Sequence, residues 1–178
     1  MKRVVAFVGG AAVLAATVFA IFVMAYKPGL DMGTYPVMVN RDLTIAERVT
    51  ARQFTWVNSN INDSNFTFYG TGIDTVTMEF VAHQGEAHIS VMLAELEKHG
   101  LRPATLQELM AFGEHYTSPT SELPILSIES AIYLESAVGQ AQYPYVIPSQ
   151  SKGEQPSLQI SAVDMSWRIP CYIAGIRE

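Results

Sequence analysis

The feature that most constrains this chain is the stretch from Val4 to Tyr26, VVAFVGGAAVLAATVFAIFVMAY. It holds no charged residue and is bracketed by Lys2, Arg3 and Lys27. A bilayer core is spanned by roughly 20 apolar residues in a helix. A secretory signal uses an apolar region of roughly 7–15. The length therefore favours an uncleaved transmembrane anchor over residues 1–27, touching lipid through residues 4–26. The small residue in Val23-Met24-Ala25 leaves a cleaved signal peptide, and hence a secreted protein, as the alternative. Lys2 and Arg3 predict a single-pass topology, with the amino terminus inside and the remainder outside the cytoplasmic membrane. Gly9 and Gly10 lie among alanines but form no strict GxxxG pair, so an ordinary lipid-facing helix is the simpler expectation.

That segment also explains the composition. The 178 residues are 49% hydrophobic and 16% charged, with a mean hydropathy of +0.17 and a formal charge of −6. Setting aside Lys2, Arg3 and Lys27 leaves 8 basic and 17 acidic residues, a formal charge of −9. Such a chain lacks the clustered Lys and Arg that phosphate backbones require, so nucleic acid is excluded as a partner. The single cysteine, Cys171, excludes an internal disulfide and a thiolate metal cage. The length beyond the anchor suits one ordinary domain.

Pro28-Gly29 and Gly33 mark a linker over 28–36, and the domain is expected over 37–178. Val37 and Val39 alternate within Tyr35–Asn40 as in a strand. Thr44 with Glu47 three residues on forms a capping box, which predicts a helix to about Gln53. Trp56 to Asn65, rich in Asn, Ser and Asp, reads as a loop. Thr75 to Ala82 alternates, placing Val76, Met78 and Phe80 on one face. Ile89, Met92, Leu93 and Leu96 follow the helical i, i+3, i+4, i+7 rule, and Gly100 suits the left-handed position after that helix. Leu101-Arg102-Pro103 is a short extended link. Thr105 and Glu108 form a second capping box, opening a helix with Leu106, Leu109 and Met110 as its stripe and Gly113 at its fraying end. Ile125–Ile128, Tyr143–Ile147, Leu158–Val163 and Tyr172–Ile176 are candidate strands. The fold class is α+β, an N-terminal transmembrane helix followed by a small mixed domain.

Catalytic motifs are scarce. His83, Glu86 and His88 resemble an inverted zincin motif with one residue too many. His83 ends a strand and His88 starts a helix, so the one-turn register of a shared metal is lost. Two exposed loop histidines are the simpler expectation, and no cofactor or metal is implied. There is no G-x-S-x-G elbow and no S-x-x-K. Cys171 has no identifiable histidine partner and reads as a buried packing residue. Gly70-Thr71-Gly72 is too short for a phosphate loop. Glu122, Glu129 and Glu135 are not aligned in pairs. Asn62 and Asn65 fit the glycosylation sequon, a frequent coincidence in Asn-rich loops. Tyr143, Tyr145 and Trp167, within the irregular stretch 131–167, are candidate ligand-binding anchors. Core residues of a β layer show the same pattern.

The segment Gly100-Leu101-Arg102-Pro103-Ala104-Thr105-Leu106-Gln107-Glu108-Leu109-Met110-Ala111-Phe112-Gly113 resembles an uncharacterised family of small proteins from uncultivated, reduced-genome bacteria. Its core reads G-[LY]-R-P-A-T-L-x-E-L-L-A-F-G. The likeness extends to Phe54–Ile61, Pro124–Ile128 and Tyr172–Arg177, and it implies no activity. A more distant resemblance links Gly100–Phe112 and Ile173–Arg177 to the C-type-lectin-like fold of formylglycine-generating-enzyme-like domains. That resemblance implies a two-helix, mixed-sheet scaffold with long variable loops. Formylglycine-generating enzymes use two cysteines, whereas this chain has one. Calcium-dependent lectins use Q-P-D or E-P-N together with W-N-D. Here Gln155-Pro156-Ser157 lacks the carboxylate, and Trp167 is followed by Arg168.

Together these readings predict a membrane-anchored, non-enzymatic extracytoplasmic domain with a binding or structural role at the cell surface. Its expected partner is a protein or surface ligand. An accessory subunit of a membrane assembly and a metal-dependent envelope enzyme using His83, Glu86 and His88 are the alternatives.

Overall fold

A computed structural model describes residues 33–51, 54–84, 88–116, 123–133, 140–148, 155–162 and 170–178. The expected anchor, Glu86 and Trp167 lie outside these residues. Among the described residues no helix is long and apolar enough to cross a membrane.

The fold is mixed α+β. Nine strands form one sheet among the described residues: β1 (Tyr35–Asn40), β2 (Trp56–Val57), β3 (Ile73–His83), β4 (Leu101–Pro103), β5 (Ile125–Leu126), β6 (Ile132–Tyr133), β7 (Ala141–Ile147), β8 (Ser157–Ala162) and β9 (Cys171–Arg177). Three helices accompany it: α1 (Ile45–Thr50), α2 (Ile89–Lys98) and α3 (Leu106–His115). The strand order is β1-β3-β9-β5-β7-β8-β2, with β4 also on β9 and β6 also on β7. β1 therefore begins at Tyr35, inside the stretch expected to be linker.

The centre of the sheet is β9. One edge pairs with β3 from Thr77↔Arg177 to His83↔Cys171. The other edge is shared: β4 takes Gly175–Arg177 antiparallel, and β5 takes Tyr172–Ile173 parallel. Ala104 bridges the two by donating its N–H to the Ala174 carbonyl at 3.0 Å. The expected link at Leu101–Pro103 is thus a strand, because an unpaired edge of β9 lies within reach of its extended backbone.

Both faces of the sheet are covered by helices. One carries Val37, Val39, Met78, Phe80, Tyr172 and Ile176 in the same apolar core as Leu106, Leu109, Met110 and Phe112 of α3. The other carries Val81, Leu126, Cys171 and Ile173 with Met92 and Leu96 of α2. This parity follows from the period of two along each strand. Phe80, Phe112, Tyr35 and Tyr116 pack tilted, edge-on or stacked, with Phe80–Phe112 centroids 4.9 Å apart and Phe112–Tyr116 5.0 Å apart. The edge strand β1 is guarded. Pro36 has no donor, its carbonyl accepts from the Tyr116 hydroxyl at 2.9 Å, and the Asn40 carbonyl accepts from Arg48.

Gly100 has φ +66°, as its place after α2 predicted. Gly113 departs from expectation. The helix runs on to His115, and a Cβ at position 113 would lie 2.8 Å from the Phe54 ring. The glycine serves packing there and does not end the helix. The Asn-rich segment is ordered by its own side chains. Asn58 and Asn62 accept from backbone N–H groups two residues on, and Asp63 accepts from Ile45 and Ala46 at the start of α1. Ile61 of this segment and Phe66, just after it, are buried in the α3 core.

Candidate functional site

The second capping box builds more than a helix start. Thr105 Oγ1 accepts from the Glu108 N–H at 3.2 Å, and the Glu108 carboxylate accepts from the Thr105 N–H at 2.9 Å. Glu108 is only 1% exposed. It holds two guanidinium groups from different elements. Arg102 of β4 binds it bidentately at 2.8 and 2.9 Å, and Arg41, following β1, reaches it at 3.3 Å. Arg41 also binds Asp74 at 3.0 and 3.1 Å and the Gln107 side-chain oxygen at 3.3 Å. Arg102 reaches Glu178 at 3.3 Å. Burial opposes ionisation of Glu108 more than any one contact favours it. Arg102, the Thr105 N–H and Arg41 together nevertheless hold its carboxyl below the ordinary carboxylate range.

Beside this hub lies a cleft of about 360 Å³. One wall is the first turn of α3 with Arg41 and Gln107, another is the segment Phe66–Tyr69, and a third is Glu129–Ala131. Ser130 Oγ accepts from the Leu106 N–H at 2.9 Å and donates to Glu129 at 3.1 Å. Gln107 is buried and donates to the Arg41 carbonyl at 3.4 Å. Tyr69 projects at the mouth, 76% exposed. The cleft walls hold one carboxylate, Glu129, and no histidine or cysteine. They offer hydrogen bonds and contact surface, with the Ser130 hydroxyl held on the Glu129 carboxylate.

The residues singled out from the sequence lie elsewhere. Tyr143 and Tyr145 share a face of β7, half-buried against the α2-side core, and burial pushes the Tyr145 phenol up. They are two residues apart on one strand, so they point the same way. Trp167 lies outside the described residues. Tyr172 is fully buried. His83 corrects the expectation of exposure: it ends β3 but is buried. His88 does open α2, where its Nδ1 lies 2.7 Å from Ser90 Oγ and accepts from the Ser90 N–H at 3.4 Å. Among the described residues no three His, Cys, Asp or Glu side chains converge to hold a metal. Cys171 is buried at the start of β9, as a packing role predicts. The Asn62 and Asn65 amides donate to the Ser59 and Asn60 carbonyls at 2.8 Å, so both brace the loop.

Sequence reasoning missed Arg41, Tyr69, Gln107 and Ser130. Only the capping box pointed here, and it spoke of helix initiation. No family model matches the chain, and neither a curated protein nor a solved structure is similar to it at a meaningful level.

Proposed function

We propose that the protein is a single-pass, membrane-anchored binding domain displayed outside the cytoplasmic membrane, with its ligand site in the cleft beside α3. The cleft itself carries this reading. Its polar walls are built on a braced ion-pair hub, which gives a ligand preorganised partners at low ordering cost. The charge-free run from Val4 to Tyr26 supports the anchor. The resemblance of the Gly100–Phe112 segment to C-type-lectin-like domains fits a scaffold that displays loops as a binding face.

Two measurements test it. External protease added to intact spheroplasts should remove a C-terminal epitope tag, and a protected tag would overturn the topology. A photo-crosslinking residue at Tyr69 should form an adduct in cells, while the same residue at Tyr145 should not. Adducts at Tyr145 alone would move the site to the β7 face.

A further inference from the structure

The charges around the cleft are unevenly matched. Arg41 and Arg102 stand against Asp74, Glu108, Glu178 and Glu129, two guanidinium groups against four carboxylates. The first three carboxylates are paired with those arginines. Glu129 is exposed, and among the described residues it forms no ion pair and accepts only the Ser130 hydroxyl at 3.1 Å. Arg102 lies within electrostatic range of Glu129, but its guanidinium is bound to Glu108 and Glu178. Another wall carries Phe68 and Tyr69. Phe68 packs against the α3 core. Tyr69 is 76% exposed, and neither its ring nor its hydroxyl has a partner among the described residues. An unmatched carboxylate and an uncovered aromatic ring therefore line the same cleft of about 360 Å³.

These features select the charge of a ligand. A molecule that fills the cleft strips water from Glu129, and a carboxylate that loses its water is costly unless a cation meets it. A cation within about 6 Å of an aromatic ring centre also gains from the ring quadrupole. A neutral ligand supplies neither term. An anion meets the reverse. Arg41 has five N–H groups. Four are committed to Asp74, Glu108 and Gln107, and its charge is matched by two carboxylates. In the first turn of α3, the Leu106 and Glu108 N–H groups are taken by Ser130 and Thr105. Size sets a further limit. The volume is at the small end of the roughly 300–1,000 Å³ of small-molecule pockets, so the ligand is compact.

Resting on the cleft reading above, we propose that its ligand is a small organic ammonium ion. The ammonium group pairs with the Glu129 carboxylate and lies against the Tyr69 ring, and a short apolar body fills the space between Phe68 and Ala131. The carboxylate supplies charge selectivity, and the aromatic face favours an alkylated cation over a strongly hydrated inorganic one.

The test uses the full-length chain in a maltoside detergent and three probes: choline, its neutral isostere with carbon in place of the quaternary nitrogen, and acetate. Choline should shift the amide resonances of Thr67, Tyr69 and Ser130. Calorimetric titration should show it binding at least tenfold tighter than the isostere, with acetate unbound. Glu129→Gln and Tyr69→Ala should each weaken choline binding about tenfold without moving the denaturation midpoint. Added salt should weaken choline binding and leave the isostere unaffected. An isostere as tight as choline, a preference for acetate, or choline affinity that survives Glu129→Gln would overturn the ammonium class and leave the cleft as a binding site. Shifts confined to residues outside the cleft would overturn the proposal. If no probe binds but the Tyr69 adduct still forms in cells, the ammonium class alone is overturned. Neither binding nor an adduct would overturn both readings.

Discussion

The helices α2 and α3 are of equal length and follow similar apolar patterns, yet one lies half in solvent and the other is enclosed. In α2, Met92 and Leu96 are buried while Val91 and Leu93 remain exposed, Leu93 at 40%. In α3, every residue from Leu106 to Gly113 is buried, Gln107 and Glu108 included. Periodicity predicts the face that meets the sheet. It says nothing about a second layer on the opposite face. α3 has such a layer: Phe54, Ile61 and Phe66 share its core, and Arg48 of α1 binds Glu114 at 2.8 Å. α2 carries the solvent-facing Lys98–Glu95 pair at 2.6 Å on its surface. A polar residue on the outer face of α3 must therefore be satisfied internally, and the Arg41–Glu108–Arg102 hub is the result.

The largest effect should come from breaking that hub. Glu108→Ala leaves two guanidinium groups without their shared partner and should cost about 3–5 kcal/mol in chemical denaturation. Glu95→Ala on α2 should leave the midpoint unchanged, since its ion pair is exposed to solvent. A loss from Glu95→Ala matching that from Glu108→Ala would remove the distinction between the helices.

Apolar truncations should separate in the same way. Leu109→Ala should cost about 2–5 kcal/mol. Leu93→Ala should stay within about 0.5 kcal/mol. The two denaturation midpoints decide the matter, and equal shifts would contradict the layering.

Gly175 tests the α2 side, which also has a tight point. A Cβ there would lie 2.8 Å from Leu96 Cδ2 and 2.9 Å from Leu101 Cβ. Gly175→Ala should cost about 1–3 kcal/mol through forced displacement of α2 or β4. A neutral result in thermal melts would mean that this contact relaxes freely.

The smallest expected effect concerns pH. The Glu108 carboxyl is held below its ordinary value of 4.5, so it binds protons more readily unfolded than folded. Its stabilising contribution is complete above that value and is lost as pH falls through the lower folded pKa. Glu108→Gln should therefore flatten the stability–pH curve between about pH 5 and 3. It should not abolish the slope, because Arg177 hydrogen-bonds Glu79 and also holds its carboxyl low. An unchanged curve would show that Glu108 does not titrate differently in the two states.

Much of the scaffold was legible because it is local chemistry. Both Thr–Glu capping boxes, the left-handed Gly100 and the alternation through Val76, Met78 and Phe80 depend on neighbours within a few residues. The short strands β2, β4 and β6 were not legible. Two or three residues carry no period, and each is a strand only because a distant backbone accepts it. The cleft beside α3 was illegible for the same reason. Arg41 and Gln107 are 66 positions apart, and no spacing rule joins them.

By itself the sequence determined the α+β class, the helix starts, the charge-free amino-terminal run and the burial of Cys171. These follow from composition, periodicity and side-chain-to-backbone bonding over a turn. Only the tertiary structure decided that Glu108 is an enclosed hub, that Gly113 and Gly175 are contact points, and that Phe66–Tyr69 and Glu129–Ala131 line one cleft. Those outcomes depend on which elements lie on top of one another. Burial raises the cost of an unmet polar group, and long-range packing decides which groups are buried.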